Sequence, residues 1–262
     1  MAGFERRTLA SSVEAVREVY APNSVVLDAG ADFETLPPEA AEELGLLVDA
    51  LDPAAYPTAW LPDDAPAQLR RYAGSDFTIG MPGDGTVVWT RQTTPPTVIA
   101  KKRAEGTPDD FLAFLLAEAF VELSLEAPEH FLPFFGESYR DLAAATPLGP
   151  NETYQLAAAL FDAWVGIQTR EVFEGWESDH PEIYAAWTDA GDQLVDRLET
   201  LSGDVARGDR SFTAATEYAC AAVKHDLDLP APFSALDTDA YRDHGADYAV
   251  RWAQKTFEKL AE

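Results

Sequence analysis

Between residues 107 and 126 the apolar side chains leave only a narrow polar stripe, and a helix of that kind belongs at the centre of a domain. Thr107-Pro108-Asp109-Asp110 reads as its start, with Thr as N-cap, Pro in the first turn and two carboxylates at the positive end of the helix dipole. Leu112, Leu115, Leu116, Ala119, Phe120 and Leu123 then cover most of the circumference. The chain stays helical beyond this point. Pro150-Asn151-Glu152 opens a long helix running through Trp164 to about Phe173, and Asp179-His180-Pro181-Glu182 opens another. Phe212 to Leu227 and Tyr241 to Leu260 complete the set.

Before residue 106 the pattern is mixed. Leu9 to Tyr20 and Glu39 to Leu51 carry apolar residues at helical spacing. Val25-Val26-Leu27 suits a strand or an extended lead-in, and Pro66 to Tyr72 suits a short helix ended by Gly74. Phe77–Ile79 and Thr86–Thr90 flank Met81-Pro-Gly-Asp-Gly85, which is a hairpin signature, and Thr97–Ala100 supplies a third run. The expected fold is α+β and predominantly α-helical, with a small three-stranded antiparallel sheet packed on a helical bundle. The shift near residue 106 divides a mixed part, 1–106, from a helical part, 107–262; the two also suit halves of one continuous domain.

The charge sets the working environment. Against 46 acidic residues stand 19 Lys and Arg, a formal charge of -27. Self-repulsion of that size strains a compact state. Molar salt removes the strain, because the Debye length then falls to roughly 3 Å. The scarcity of lysine points the same way, and the expectation is a halophilic protein with K+ or other salt ions at its acidic surface. An acidic nucleic-acid mimic is the weaker reading, since the carboxylates are spread over the whole chain. The single Cys220 excludes an internal disulfide, and no apolar run has the length of a membrane span. The N-terminus has no signal-peptide pattern, so a cytoplasmic location is expected.

Two groups of residues suggest chemistry. Arg70, Arg71, Arg91, Lys101, Lys102 and Arg103 fall in a stretch whose acids are Asp76 and Asp84, a local reversal of charge. Cations beside a helix N-terminus can hold a phosphate or carboxylate, so these six residues suit a contact surface for RNA, a nucleoprotein or an acidic partner. The competing reading pairs them with carboxylates elsewhere in the chain. The second group is Glu118, Glu122 and Asp162, carboxylates on the expected central helices that would suit a divalent metal if they converged. Their competing reading is a solvated stripe, with Asp162 paired to Arg170 or a Tyr hydroxyl. His130, His180, His244 and Cys220 read as structural residues. The aromatic segment Phe131–Phe135 suits either core packing or a dimer contact. No phosphate-binding loop, zinc-protease, serine-hydrolase or CxxC pattern occurs, and no cofactor is expected.

Three stretches, VIAKKRAEGTPDDFLAFLLAEAFVEL, PEHFLPFFGESYRDL and LGPNETYQLAAALFDAWVGIQTREVF, resemble an uncharacterised family of haloarchaeal proteins. The likeness covers residues 97–176. It implies a cytosolic protein of a salt-adapted cell and brings no activity. The reading that follows is a non-enzymatic interaction protein acting through the basic cluster, with a carboxylate metal site or enzyme as the alternative.

Overall fold

The run Val25-Val26-Leu27 is buried on both faces, as consecutive apolar residues in a central strand require. In the computed structural model, which describes residues 3–74, 76–80 and 85–262, this run forms β2 (Val25–Ala29). Before it come β1 (Phe4–Arg6) and α1 (Ser11–Tyr20). After it come α2 (Pro38–Gly45), β3 (Ala50–Leu51), α3 (Ala67–Ala73), β4 (Val87–Thr90), β5 (Thr93–Thr94) and β6 (Thr97–Ala100). The helices that follow are α4 (Asp109–Ser124), α5 (Phe131–Phe135), α6 (Ser138–Ala144) and α7 (Pro150–Glu174). The last four are α8 (Trp176–Asp179), α9 (Pro181–Arg207), α10 (Phe212–Val223) and α11 (Asp239–Leu260). None of the described helices is long and apolar enough to cross a membrane.

The fold is α+β and dominated by helix, but its sheet differs from the expected three antiparallel strands. Four strands lie in the order β1-β2-β6-β4. The central pair, β2 and β6, is parallel, with Asp28 opposite Ala100, and the two outer pairings are antiparallel. The cause is β6, which is buried at every position and needs a partner on each side. Phe77–Ile79 forms no strand with β4; Thr78 makes an isolated bridge to Thr35 instead. The expected turn at residues 81–84 lies outside the described residues. The helix expected over 39–51 stops at Gly45, because Ala50–Leu51 leaves it to pair with Thr93–Thr94.

The chain divides into two compact units. The first comprises residues 1–56, 68–129 and 176–186. One face of its sheet is covered by Phe33, Leu36, Leu44 and Ile79, which pack on Leu27, Val88 and Ile99. Helix α4 lies against β4 and β6 and also against α1. Phe114, Leu116 and Phe120 of α4 are almost fully buried, and each such side chain contributes roughly 1.5–3 kcal/mol. The helix begins at Asp109, with Pro108 rather than Thr107 at its cap and no side-chain cap bond.

The second unit comprises residues 57–67, 130–175 and 187–262. Its axis is the packing of α7 on α10. The two come close at Gly166, where a Cβ would stand 2.9 Å from the Lys224 nitrogen. Gly245, at φ +43, bends α11 and leaves room for the Phe134 ring, 3.1 Å from where its Cβ would be. The aromatic segment is spent inside this unit. Phe131 meets Tyr154 edge-on at 5.1 Å, and Phe134 meets Trp164 at 5.0 Å.

Candidate functional site

Of the six cations singled out from the sequence, Arg70, Arg71, Arg91, Lys102 and Arg103 are exposed and Lys101 is buried. Arg91 lies across the end of α4 at the surface. Its guanidinium donates to the carbonyls of Ala127 (2.6 Å), Leu123 (2.8 Å) and Leu125, and stands 4.8 Å from the Trp89 ring centroid. It thereby satisfies carbonyls that a helix end leaves bare. Its backbone N–H donates to Glu129 at 2.5 Å. That carboxylate also accepts from the Thr90 hydroxyl and from Gln92 Nε2, each at 2.9 Å. Burial pushes the Glu129 pKa up in spite of these bonds. The neighbouring Tyr56 phenol is pushed up to about 12, first by burial and then by the Glu129 charge. This partly buried network fastens the strand ends to the segment after α4.

Arg103 binds Asp32 twice, through its backbone N–H at 2.9 Å and its Nε at 3.2 Å. These contacts, the backbone bond foremost, hold the Asp32 carboxyl below the usual range. Arg70 and Arg71 are exposed on α3. Lys102 pairs with Glu105 at 2.9 Å and stays half exposed. Lys101 is 1% exposed, with its ammonium 5.4 Å from the Phe33 ring centroid. A lysine is seldom so buried unless something holds its charge.

Lys101 and Lys102 line a cleft of about 640 Å³ in the first unit. The cleft opens at the carboxyl ends of β2 and β6, where open α/β sheets commonly take their ligands. Asp28, Ala29 and Gly30 come to it from β2, Gly106, Thr107 and Asp109 from the start of α4, and Arg7 from the chain after β1. Arg7 is paired with Asp28. Three cations therefore meet four acids here, Glu5, Asp28, Glu105 and Asp109, so the lining is close to neutral in a chain of charge -27. Sequence reasoning missed Arg7 and Asp28. Their signal is a charge placed beside or within a short strand, in Arg6-Arg7 and Val-Val-Leu-Asp28.

The DUF7089 family, a family of unknown function, matches residues 3–260. The chain belongs to that family. No curated protein and no solved structure matches the DUF7089 chain.

The carboxylates proposed for a metal take separate roles in the DUF7089 chain. Glu122 accepts the Trp89 indole N–H at 2.7 Å, and Glu118 is buried in α4. Asp162 belongs to the second unit and is exposed. Arg170, named from the sequence as its partner, binds Asp237 at 2.5 Å and Asp226 at 3.1 Å instead. Among the described residues no group of three His, Cys, Asp or Glu is placed to hold a metal ion. His130 is buried, and its Nδ1 accepts the Leu132 N–H at 3.1 Å. Burial lowers its pKa to about 3. Cys220 is buried, and burial pushes its thiol pKa up, away from reactivity.

Proposed function

We propose that the protein is a non-enzymatic interaction protein working in high salt, and that it holds one anionic group of its partner in the cleft at the ends of β2 and β6. The observation that carries this reading is the pair Lys101-Lys102 at the end of a central strand, in a cavity that also meets the start of α4. The exposed N–H groups of a helix start add to the pull of nearby cations. In molar salt, contact-range pairs of this kind outlast long-range fields.

A single carboxylate or phosphate suits the cleft better than a file of RNA phosphates. Glu5, Glu105 and Asp109 would repel a second and third charge. Arg70 and Arg71 do not line the cleft, and Arg91 is engaged with the α4 carbonyls.

The test is a pull-down in molar KCl with the wild type, a Lys102→Glu variant and an Arg70→Glu, Arg71→Glu variant, with and without RNase. Lys102 is half exposed, so its replacement should leave the fold intact. Loss of the partner in Lys102→Glu alone supports the cleft. Loss only in the α3 variant, or release by RNase, would favour a broad nucleic-acid surface and remove the cleft reading.

A further inference from the structure

A second cavity, of about 420 Å³, lies within the second unit between the 62–66 turn, α6 and the first turn of α7. That size falls within the ordinary range for small-ligand pockets, about 300–1,000 Å³. Pro62, Pro66 and Leu148 give it an apolar wall. Two hydroxyl side chains interrupt that wall, Tyr139, 1% exposed, and Thr153, 3% exposed.

Neither hydroxyl has a hydrogen-bond partner among the described residues. Neither is among the sealed polar atoms left unpaired, so both reach the cavity. Comparable groups in this chain behave otherwise. The buried Tyr241 phenol donates to the Leu160 carbonyl at 2.5 Å. Thr169 and Thr216 donate to carbonyls one helical turn back, at 3.1 and 2.9 Å. Buried polar groups in folded proteins are almost always satisfied, so two open ones facing a single cavity mark a place for a ligand.

The charges at the rim say which kind. Asp64 and Asp141 line the cavity, and the Asp64 charge bears on the Tyr139 phenol. Arg140 also lines it, but its guanidinium donates to the carbonyls of Leu61 at 2.6 Å and Ala59 at 3.4 Å. No cation of the described residues forms an ion pair with Asp64 or Asp141. The cavity thus offers carboxylate and hydroxyl oxygens over an apolar floor.

We propose that this cavity binds a small organic amine in its ammonium form, with N–H groups on the Asp64 carboxylate and the oxygens of Tyr139 and Thr153, and with its carbon skeleton on Pro62, Pro66 and Leu148. The site is independent of the cleft in the first unit. A ligand-observed NMR titration of the full chain tests it, with putrescine and ethanolamine as probes, glycerol as the uncharged control and KCl at fixed ionic strength. Tyr139→Phe removes only an unpartnered hydroxyl, so it should leave the thermal midpoint unchanged and weaken amine binding about tenfold. Asp64→Asn should erase the preference for amines over glycerol. Three results would overturn the proposal: no saturable binding of either amine, equal binding by wild type and both variants, or glycerol binding as tightly as the amines. A Tyr139→Phe protein that unfolds earlier would also overturn it, because the hydroxyl would then have an internal partner.

Discussion

The Trp89 indole donates its N–H to the Glu122 carboxylate across 2.7 Å, joining strand β4 to helix α4. Glu122 is therefore part of the bond between sheet and helix. Replacing it by Ala leaves the partly buried indole N–H without its acceptor, and such a loss costs about 1–3 kcal/mol. Trp89→Phe removes the donor along with some packing and should cost a similar amount. Urea unfolding of the two single variants and the double variant should show a double-variant loss smaller than the sum of the single losses.

Arg91 should behave as a structural residue. Its guanidinium serves the carbonyls of Leu123, Leu125 and Ala127 together. Arg91→Met keeps much of the stem and removes the donors. The expected loss is about 2 kcal/mol or more. Equilibrium unfolding in constant KCl checks it, and a variant as stable as wild type would contradict this role.

The buried histidines make the second unit sensitive to acid. Burial lowers His130 to about 3 and His225 to about 4. Both folded values lie below the ordinary 6.5, so the unfolded state binds protons first. Stability is present in full above pH 6.5 and is lost as pH falls through the window toward 4 and then 3. His130→Asn keeps a cap acceptor for the Leu132 N–H and removes one titration. Its stability should fall less steeply below pH 6.5 than that of the wild type.

Glu129 works in the opposite direction. Its folded pKa is raised above the ordinary carboxylate value of 4.5. The folded state then holds the proton longer, so this group favours folding at low pH and loses that contribution as pH rises through the raised value. A Glu129→Gln variant should gain stability relative to wild type as pH goes from 4.5 upward. A stability difference independent of pH would show that Glu129 titrates alike in both states.

Gly166→Ala tests the approach of α7 to α10. The added Cβ would stand 2.9 Å from the Lys224 nitrogen, which is backbone and cannot swing aside. Overpacking of this kind costs about 1–3 kcal/mol. Thermal unfolding of the variant should begin earlier by several degrees.

Much of the helical frame was legible because its signals are local. Pro150 and Pro181 do open α7 and α9, and Gly74 does end α3. The parallel pairing of β2 with β6 was not legible, because nothing near Val25 or Thr97 names a partner so far along the chain. The six cations were visible as a run in the sequence. What each of them touches depends on tertiary neighbours: Phe33 for Lys101, Asp32 for Arg103 and the carbonyls of Leu123 and Ala127 for Arg91. The Tyr139 and Thr153 hydroxyls carry no sequence signal, since only the missing partner sets them apart.

The two units are each assembled from separated stretches of chain, and the first takes in residues 176–186 after the 130–175 segment has been laid into the second. During synthesis the first unit therefore stays incomplete until residue 186 has left the ribosome. No single proteolytic nick and no single truncation point can release either unit whole, and a fragment cut at residue 106 would strand the sheet without the helix that covers it.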